Sequence, residues 1–172
     1  MNEALHILTD RRSTKNYLPT PVSDELLDQV LEAGLHAPTG KNVQHVIMVA
    51  VRDKETRDQL ARLNAEFLGA DIDPFYGAPC IVVVLADPER NTWVEDGSLV
   101  MGNMLNAAHA LGLGNCWVHR AREMFACEEG KALLRKWGLP ESLEGIGNCL
   151  LGYPNGAPEK KPRTPGRIIK VD

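Results

Sequence analysis

Arg11, Arg12, Ser13, Thr14 and Lys15 put three cations and two hydroxyls into five consecutive residues. Each guanidinium can donate two parallel hydrogen bonds to phosphate oxygens, and the hydroxyls add donors of their own. That donor set suits a small phosphorylated ligand. Standing alone, the cluster also reads as a solvated basic turn.

Further segments carry chemistry. Ala37-Pro38-Thr39-Gly40-Lys41-Asn42-Val43-Gln44 is a polar loop able to line a ligand, or simply a helix stop. Gly112-Leu113-Gly114-Asn115-Cys116-Trp117 has glycines that let a flat ligand approach the backbone, or that end a helix. Lys161-Pro162-Arg163 is a second phosphate clamp or a solvated tail. Cys80, Cys116, Cys127 and Cys149 are widely spaced with no C-x-x-C pair. Cys80 and Cys149 sit in apolar runs, where a free cysteine behaves as a small hydrophobe, so neither a metal site nor a disulfide framework is expected.

The elements that must position these residues alternate. A short helix is predicted over 2–10. Ser23 caps a second helix, with Asp24 and Glu25 complementing its dipole and Leu26, Leu27, Val30 and Leu31 at helical spacing to about His36. Val46 to Val51 reads as a buried strand. Asp53 caps a helix carrying Leu60, Leu63, Phe67 and Leu68, and residues 69–79 form a loop. Cys80 to Leu85 is too β-branched to prefer a helix. Residues 93–111 give a long helix whose Gly97, Gly102 and alanines permit close packing, which places it centrally. Asn115 to His119 starts a strand, Glu123 to Trp137 a helix, and Ile146 to Tyr153 a further strand. His109, on the long helix, reads as a hydrogen-bonded structural histidine.

The tail differs. Pro154, Pro158, Pro162 and Pro165 lead into Arg167-Ile168-Ile169-Lys170-Val171, a strand-like run. A long proline-rich excursion fits poorly inside a compact monomer and fits an arm that adds a strand to another subunit.

With 172 residues the chain is read as one domain, 1–172, with an arm over about 154–172. A net charge of −4 gives no electrostatic footprint for nucleic acid. No apolar run approaches the roughly 20 residues that span a bilayer, so no membrane partner is expected. The start of the chain lacks a secretory pattern, and the protein is read as cytoplasmic.

Taken in order, Arg11-Arg12-Ser13-x-Lys15, Ala37-Pro38-Thr39-Gly40-x-Asn42-x-Gln44, Ala78-Pro79 before a valine-rich strand, Asp96 with Asn103 and Leu105, Gly112 to Trp117, and Gly152-Tyr153-Pro154 with Lys161 and Arg163 resemble the nitroreductase family of FMN-dependent oxidoreductases. The resemblance runs over about residues 5–170. It implies an α+β, nitroreductase-like three-layer α/β/α fold. The sheet would be mixed and mostly antiparallel, and a domain-swapped C-terminal arm would join a homodimer. It implies noncovalent FMN held by Arg11, Arg12, Ser13 and Lys15, with Arg11 at the phosphate and Lys15 at the pyrimidine edge. Pro38, Thr39, Gly40 and Asn42 would come from the partner subunit. Trp117, Val118, His119 and Arg120 would pass the ring edge and offer a backbone N–H to N5, while Lys161 and Arg163 close over the phosphate. Electrons would pass from NAD(P)H through flavin N5 to a small-molecule acceptor, a nitroaromatic, quinone or activated alkene, in ping-pong order. No side chain need act as a nucleophile. The alternative is a non-catalytic FMN-binding redox sensor or flavin store. The chain departs from the family where Gln44 is followed by His45 and Val46, where His119 replaces a common acidic residue, and in lacking a long lid insertion.

Overall fold

The computed structural model describes residues 2–171. α1 (Glu3–Asp10) opens where Asn2 accepts the Leu5 N–H at 2.9 Å. α2 (Asp24–Leu35) is capped by Ser23, and α3 (Lys54–Leu68) by Asp53, as their sequences predict. Gly69 closes α3 in the left-handed conformation at φ 71°, which a residue without Cβ adopts freely. α4 (Trp93–Ala110) is the long central helix.

The sheet has four strands in the order β1-β2-β4-β3: β1 (Ile47–Val51), β2 (Cys80–Ala86), β3 (Gly114–Val118) and β4 (Glu144–Gly152). Every pairing is antiparallel. Successive side chains of a strand point to opposite faces, and here both faces are covered. Ile81, Val83 and Leu85 face α3 together with α5 (Ala121–Ala126) and α6 (Glu128–Lys136). Cys80, Val82, Val84 and Ala86 face α2 and α4. This explains why β2 is apolar without alternation. Each fully buried Ile, Val or Leu among them contributes about 1.5–3 kcal/mol. α4 lies close on β4 because Gly97 has no Cβ; one there would run into the Ile146 side chain. Gly102 has open space beside it and makes no such approach.

Several expectations are corrected. The sheet is not mixed: among the described residues, parallel pairing is confined to one isolated bridge, Ser13 with Asn115. The strand expected at 46–51 is a half-buried edge strand with Ala50 exposed, since only β2 flanks it. The helix expected from Glu123 to Trp137 is two. Cys127 takes an extended backbone (φ −82°, ψ 164°) between α5 and α6, and Gly130 lies so close to the Met124 carbonyl that no Cβ fits. Among the described residues, His109 forms no hydrogen bond through its ring; Nε2 stands 3.7 Å from Asp10 Oδ2. Among the described residues, the run 167–171 pairs with no strand of its own chain, and it is exposed. The arm's last residue, Asp172, lies outside the described residues. Among the described residues, no helix is long and apolar enough to cross a membrane.

Candidate functional site

Beyond α1 the chain runs beside the start of β3 and the end of β4. Thr14 donates its backbone N–H to the Asn115 carbonyl at 2.8 Å, and Leu18 donates to the Tyr153 carbonyl at 2.9 Å. Between them the buried Tyr17 hydroxyl donates to the Thr14 carbonyl at 2.9 Å. Burial drives the Tyr17 phenol pKa upward, so it stays a neutral donor. Gly114 makes the close approach possible: a Cβ there would stand 2.8 Å from Thr14 Cγ2. Thr14 and Tyr17 therefore face inward, while Ser13, Lys15 and Asn16 face out.

Arg11 is half-buried, and its Nη1 donates to Asn115 Oδ1 at 3.4 Å. Asn115 is fixed by its own Nδ2, which donates to the Leu113 carbonyl at 3.3 Å. Arg12 folds back instead, donating to the Thr9 and Arg11 carbonyls, each at 2.8 Å. Its buried Nε has no partner among the described residues. Asn16 and Asn155 exchange two hydrogen bonds of 3.0 Å each, which brings the proline-rich tail over the segment. Ser13 to Asn16 and residues 155–159 then line a cavity of about 340 Å³. An adjoining cavity of about 570 Å³ includes Arg12, Asp10 and Lys160. Lys160 bonds Asp10 and, above all through that hydrogen bond, holds its carboxyl below the usual range. Asp10 is thus neutralised locally. Lys161 and Arg163 are exposed and form no ion pair among the described residues.

Lys15 Nζ stands 5.6 Å from the centre of the Tyr76 ring, a cation–π geometry worth about 0.5–1 kcal/mol when exposed. Tyr76 is left-handed at φ 52°. Asp73 organises that turn by accepting from Phe75 N–H at 2.9 Å, Gly77 N–H at 2.8 Å and Arg57 Nη2 at 2.6 Å. Burial pushes the Asp73 carboxyl up, but these donors outweigh it and leave it below its ordinary value.

At the end of β3, Trp117 is half-buried, Val118 buried, His119 exposed and Arg120 half-buried. Trp117, His119 and Arg122 help line a cavity of about 230 Å³. Arg120 is left-handed at φ 75°. Beneath this turn, the fully buried Asn64 and Asn148 donate Nδ2 to the His119 carbonyl at 2.7 and 3.4 Å. Their Oδ1 atoms have no partner among the described residues. Burial keeps the Cys116 and Cys149 thiols protonated and lifts Cys80 to about 12, so none of them is a ready nucleophile.

The loop 38–44 is anchored elsewhere. Pro38 is exposed; Thr39 Oγ1 accepts the Gln44 N–H at 3.1 Å, and Asn42 Oδ1 accepts Gln44 Nε2 at 2.9 Å. Gly40 donates its N–H to Asp96 at 2.9 Å. Lys41, Asn42 and Gln44 are left-handed at φ 53°, 55° and 55°. Such strain costs roughly 1–3 kcal/mol per residue and collects at functional sites. Among the described residues no hydrogen bond joins this loop to residues 11–15, to 113–120 or to the tail. Within one chain the structure therefore gathers Arg11, Ser13 and Lys15 with the β3 start and the early tail, and leaves Pro38 to Asn42 apart.

Reasoning from sequence singled out neither Asp96, Tyr76 nor the Asn64–Asn148 pair as site residues. Asn64 and Asn148 signalled only as polar residues inside an apolar helical or strand pattern, Asp96 only as part of the family pattern, and Tyr76, in the loop 69–79, not at all.

An antiparallel sheet covered on both faces, with a basic segment laid along β3 and a tail closing over it, defines an α+β fold with a basic cleft at one end of the sheet. Residues 8–72 match the model of the nitroreductase family. The chain is 34% identical over 160 residues to an Archaeoglobus fulgidus protein bearing the name NADH dehydrogenase/NAD(P)H nitroreductase, with 90% of this chain and 87% of that one covered. It is 31% identical over 180 residues to the NADPH-flavin oxidoreductase of Vibrio harveyi, covering 98% of this chain and 73% of that one. A nitroreductase from Bacteroides fragilis with bound FMN superposes on it with a TM-score of 0.92 at 27% identity, over 100% of both chains. The chain belongs to the nitroreductase family.

Proposed function

We propose that this protein is an FMN-dependent NAD(P)H oxidoreductase acting on small acceptors such as nitroaromatics, quinones or activated alkenes. The observation that carries the reading is the basic segment laid against β3, where Arg11 bonds Asn115 and Ser13 bridges to it, with residues 155–159 of the tail closing a cavity over Ser13 to Asn16. The donor set fits a phosphate: Arg11 and Ser13 lie beside β3, Lys161 and Arg163 stand exposed and free of ion pairs among the described residues in the tail just beyond the cavity, and the nearby Asp10 is already paired with Lys160. The buried, unpartnered Nε of Arg12 is a further donor turned from solvent. FMN is also what the superposed Bacteroides fragilis relative holds.

When bound, FMN supplies the redox chemistry, taking electrons from the nicotinamide and passing them to the acceptor. The chain's own residues bind, orient and polarise. Arg11, Ser13, Lys161 and Arg163 would hold the phosphate. Lys15 would supply a positive charge to the flavin, favouring the negative charge that gathers on reduction. The backbone of Trp117 to Arg120, braced where Asn64 and Asn148 donate to the His119 carbonyl, would offer an N–H to the ring. Nicotinamide and acceptor use one binding face in turn, which makes the kinetics ping-pong.

The working unit is a homodimer in which Pro38, Thr39, Gly40 and Asn42 of each chain line the other's flavin. Support comes from the separation of that loop from residues 11–15, and from the tail, where Ile168, Ile169 and Val171 are 82%, 80% and 91% exposed. Steady-state oxidation of NADH or NADPH with a quinone tests the function. Turnover is expected; an FMN-loaded protein that does not turn over would instead be a flavin store or sensor.

A further inference from the structure

Asp96 sits in the first turn of α4, with its side chain 5% exposed and that of its partner His45 7% exposed. Its Oδ1 accepts the Gly40 backbone N–H at 2.9 Å. Its Oδ2 accepts from His45 Nε2 and from Thr92 Oγ1, each at 2.9 Å. His45 Nδ1 accepts the Asp87 N–H at 3.4 Å, which assigns the ring proton to Nε2 and makes His45 a donor to the carboxylate. One buried carboxylate thus ties together the turn at Gly40, the entry to β1 and the start of α4. Gly40 is also confined from the other side, because a Cβ there would collide with Thr92 Oγ1.

Between the two anchors, Gly40 and His45, lie the left-handed residues Lys41, Asn42 and Gln44. Left-handed conformations at residues with a Cβ persist only where the surroundings over-determine them. The bonds inside the loop, from Gln44 to Thr39 and Asn42, fix its shape but not its place. Placement comes from the Asp96 carboxylate.

We propose that Asp96 is a positioning residue of the reductase site, holding the loop 39–44 through Gly40 and His45 so that Thr39, Asn42 and Gln44 face flavin and acceptor. This rests on the reading above that the loop lines the partner subunit's flavin. Asp96 touches no ligand itself. Without it the loop keeps its internal bonds but samples other placements, and the binding face for nicotinamide and acceptor loses definition.

The test compares wild type, Asp96→Ala and Asp96→Asn. Amide hydrogen exchange at residues 40–44 is read on the flavin-free protein, and kcat and KM with a quinone on the FMN-loaded protein, below any unfolding transition. In Asp96→Ala, Gly40 should exchange roughly ten- to a hundredfold faster, the effect of losing one hydrogen bond to a charged group. Its kcat/KM should fall roughly ten- to a hundredfold, as small misplacements at a reacting centre do. Asp96→Asn keeps an oxygen for Gly40 but turns an amide NH2 toward the His45 Nε2–H, so it should restore the Gly40 exchange and recover only part of kcat/KM. Unchanged Gly40 exchange in Asp96→Ala overturns the proposal. Faster exchange with unchanged kcat/KM overturns it too, and leaves the reductase reading intact because wild-type turnover stands. A wild type without turnover removes both. If Asp96→Ala does not fold, His45→Ala removes one donor only and should give smaller changes in the same direction; no change there is equally contrary.

Discussion

Arg11 and Asn115 meet through a side-chain hydrogen bond of 3.4 Å although they stand 104 residues apart in the chain. Asn115 also receives the Thr14 N–H on its carbonyl, so one buried residue fixes both the course of the basic segment and the aim of its first arginine. Arg11 is thereby preorganised for an anion. Arg11→Ala should weaken FMN binding by about 1.5–3 kcal/mol, the range for a hydrogen bond to a charged group. Asn115→Ala should weaken it less, in the same direction. Riboflavin, which lacks the phosphate, should bind wild type far more weakly than FMN. Titration calorimetry on the flavin-free protein checks all three, and equal affinity for FMN and riboflavin would remove the phosphate clamp.

Gly114 and Thr14 test the packing beneath that segment. Because a Cβ on Gly114 would stand 2.8 Å from Thr14 Cγ2, Gly114→Ala should destabilise the fold by about 1–3 kcal/mol, as overpacking does. Adding Thr14→Ala should return part of that loss and part of the FMN affinity. A strictly additive double mutant, measured by denaturant unfolding, would mean the two residues do not constrain each other.

Lys15 should set the flavin's potential. Lys15→Met is expected to lower the two-electron potential; a change of about 30 mV corresponds to roughly 1.4 kcal/mol. Reduction by NAD(P)H should slow in parallel. Tyr76→Leu, which removes the ring under the ammonium, should shift the potential by less. Both variants are compared with wild type at FMN saturation, and an unmoved potential in Lys15→Met would leave the backbone donors as the sole electronic influence.

Removing residues 157–172 should weaken both dimerisation and flavin retention. The arm carries exposed Ile168, Ile169 and Val171, and obligate interfaces of this kind bury more than about 2,000 Å². Sedimentation analysis with and without the arm decides: a truncated monomer that keeps its FMN contradicts the shared site.

Acid should loosen the Tyr76 turn. Asp73 has a folded-state pKa below its unfolded value, so its contribution is complete above the unfolded value of about 3.9 and is lost as pH falls through the folded one. The stability gap between wild type and Asp73→Asn should therefore be widest near neutrality and close toward low pH. Denaturant midpoints over that range show it; a gap independent of pH would mean the Asp73 charge contributes nothing.

Much of the fold was legible in the residues. Ser23 and Asp53 marked helix starts that the structure keeps, and the β-branched run Cys80 to Leu85 signalled a strand, which the structure extends to Ala86 and covers on both faces. The break at Cys127 was not, because it follows from how closely Gly130 approaches the Met124 carbonyl, a contact of tertiary packing. The basic segment announced itself by composition, yet its two arginines diverge: Arg11 reaches Asn115 while Arg12 caps its own turn. Nothing in the local pattern separates them. Asp96 is a similar case. In sequence it is one acidic residue in a helix's first turn, ordinary for the dipole; its three donors arrive from Gly40, His45 and Thr92 only on folding.

The most direct measurement is anaerobic mixing of the FMN-loaded protein with NADH or NADPH, followed by a quinone, while the flavin's yellow absorbance is monitored. Bleaching on the first addition and full return of colour on the second, with parallel lines in double-reciprocal plots of steady-state rates, is the result predicted for a ping-pong oxidoreductase. A flavin that stays yellow in excess of either nicotinamide would contradict it.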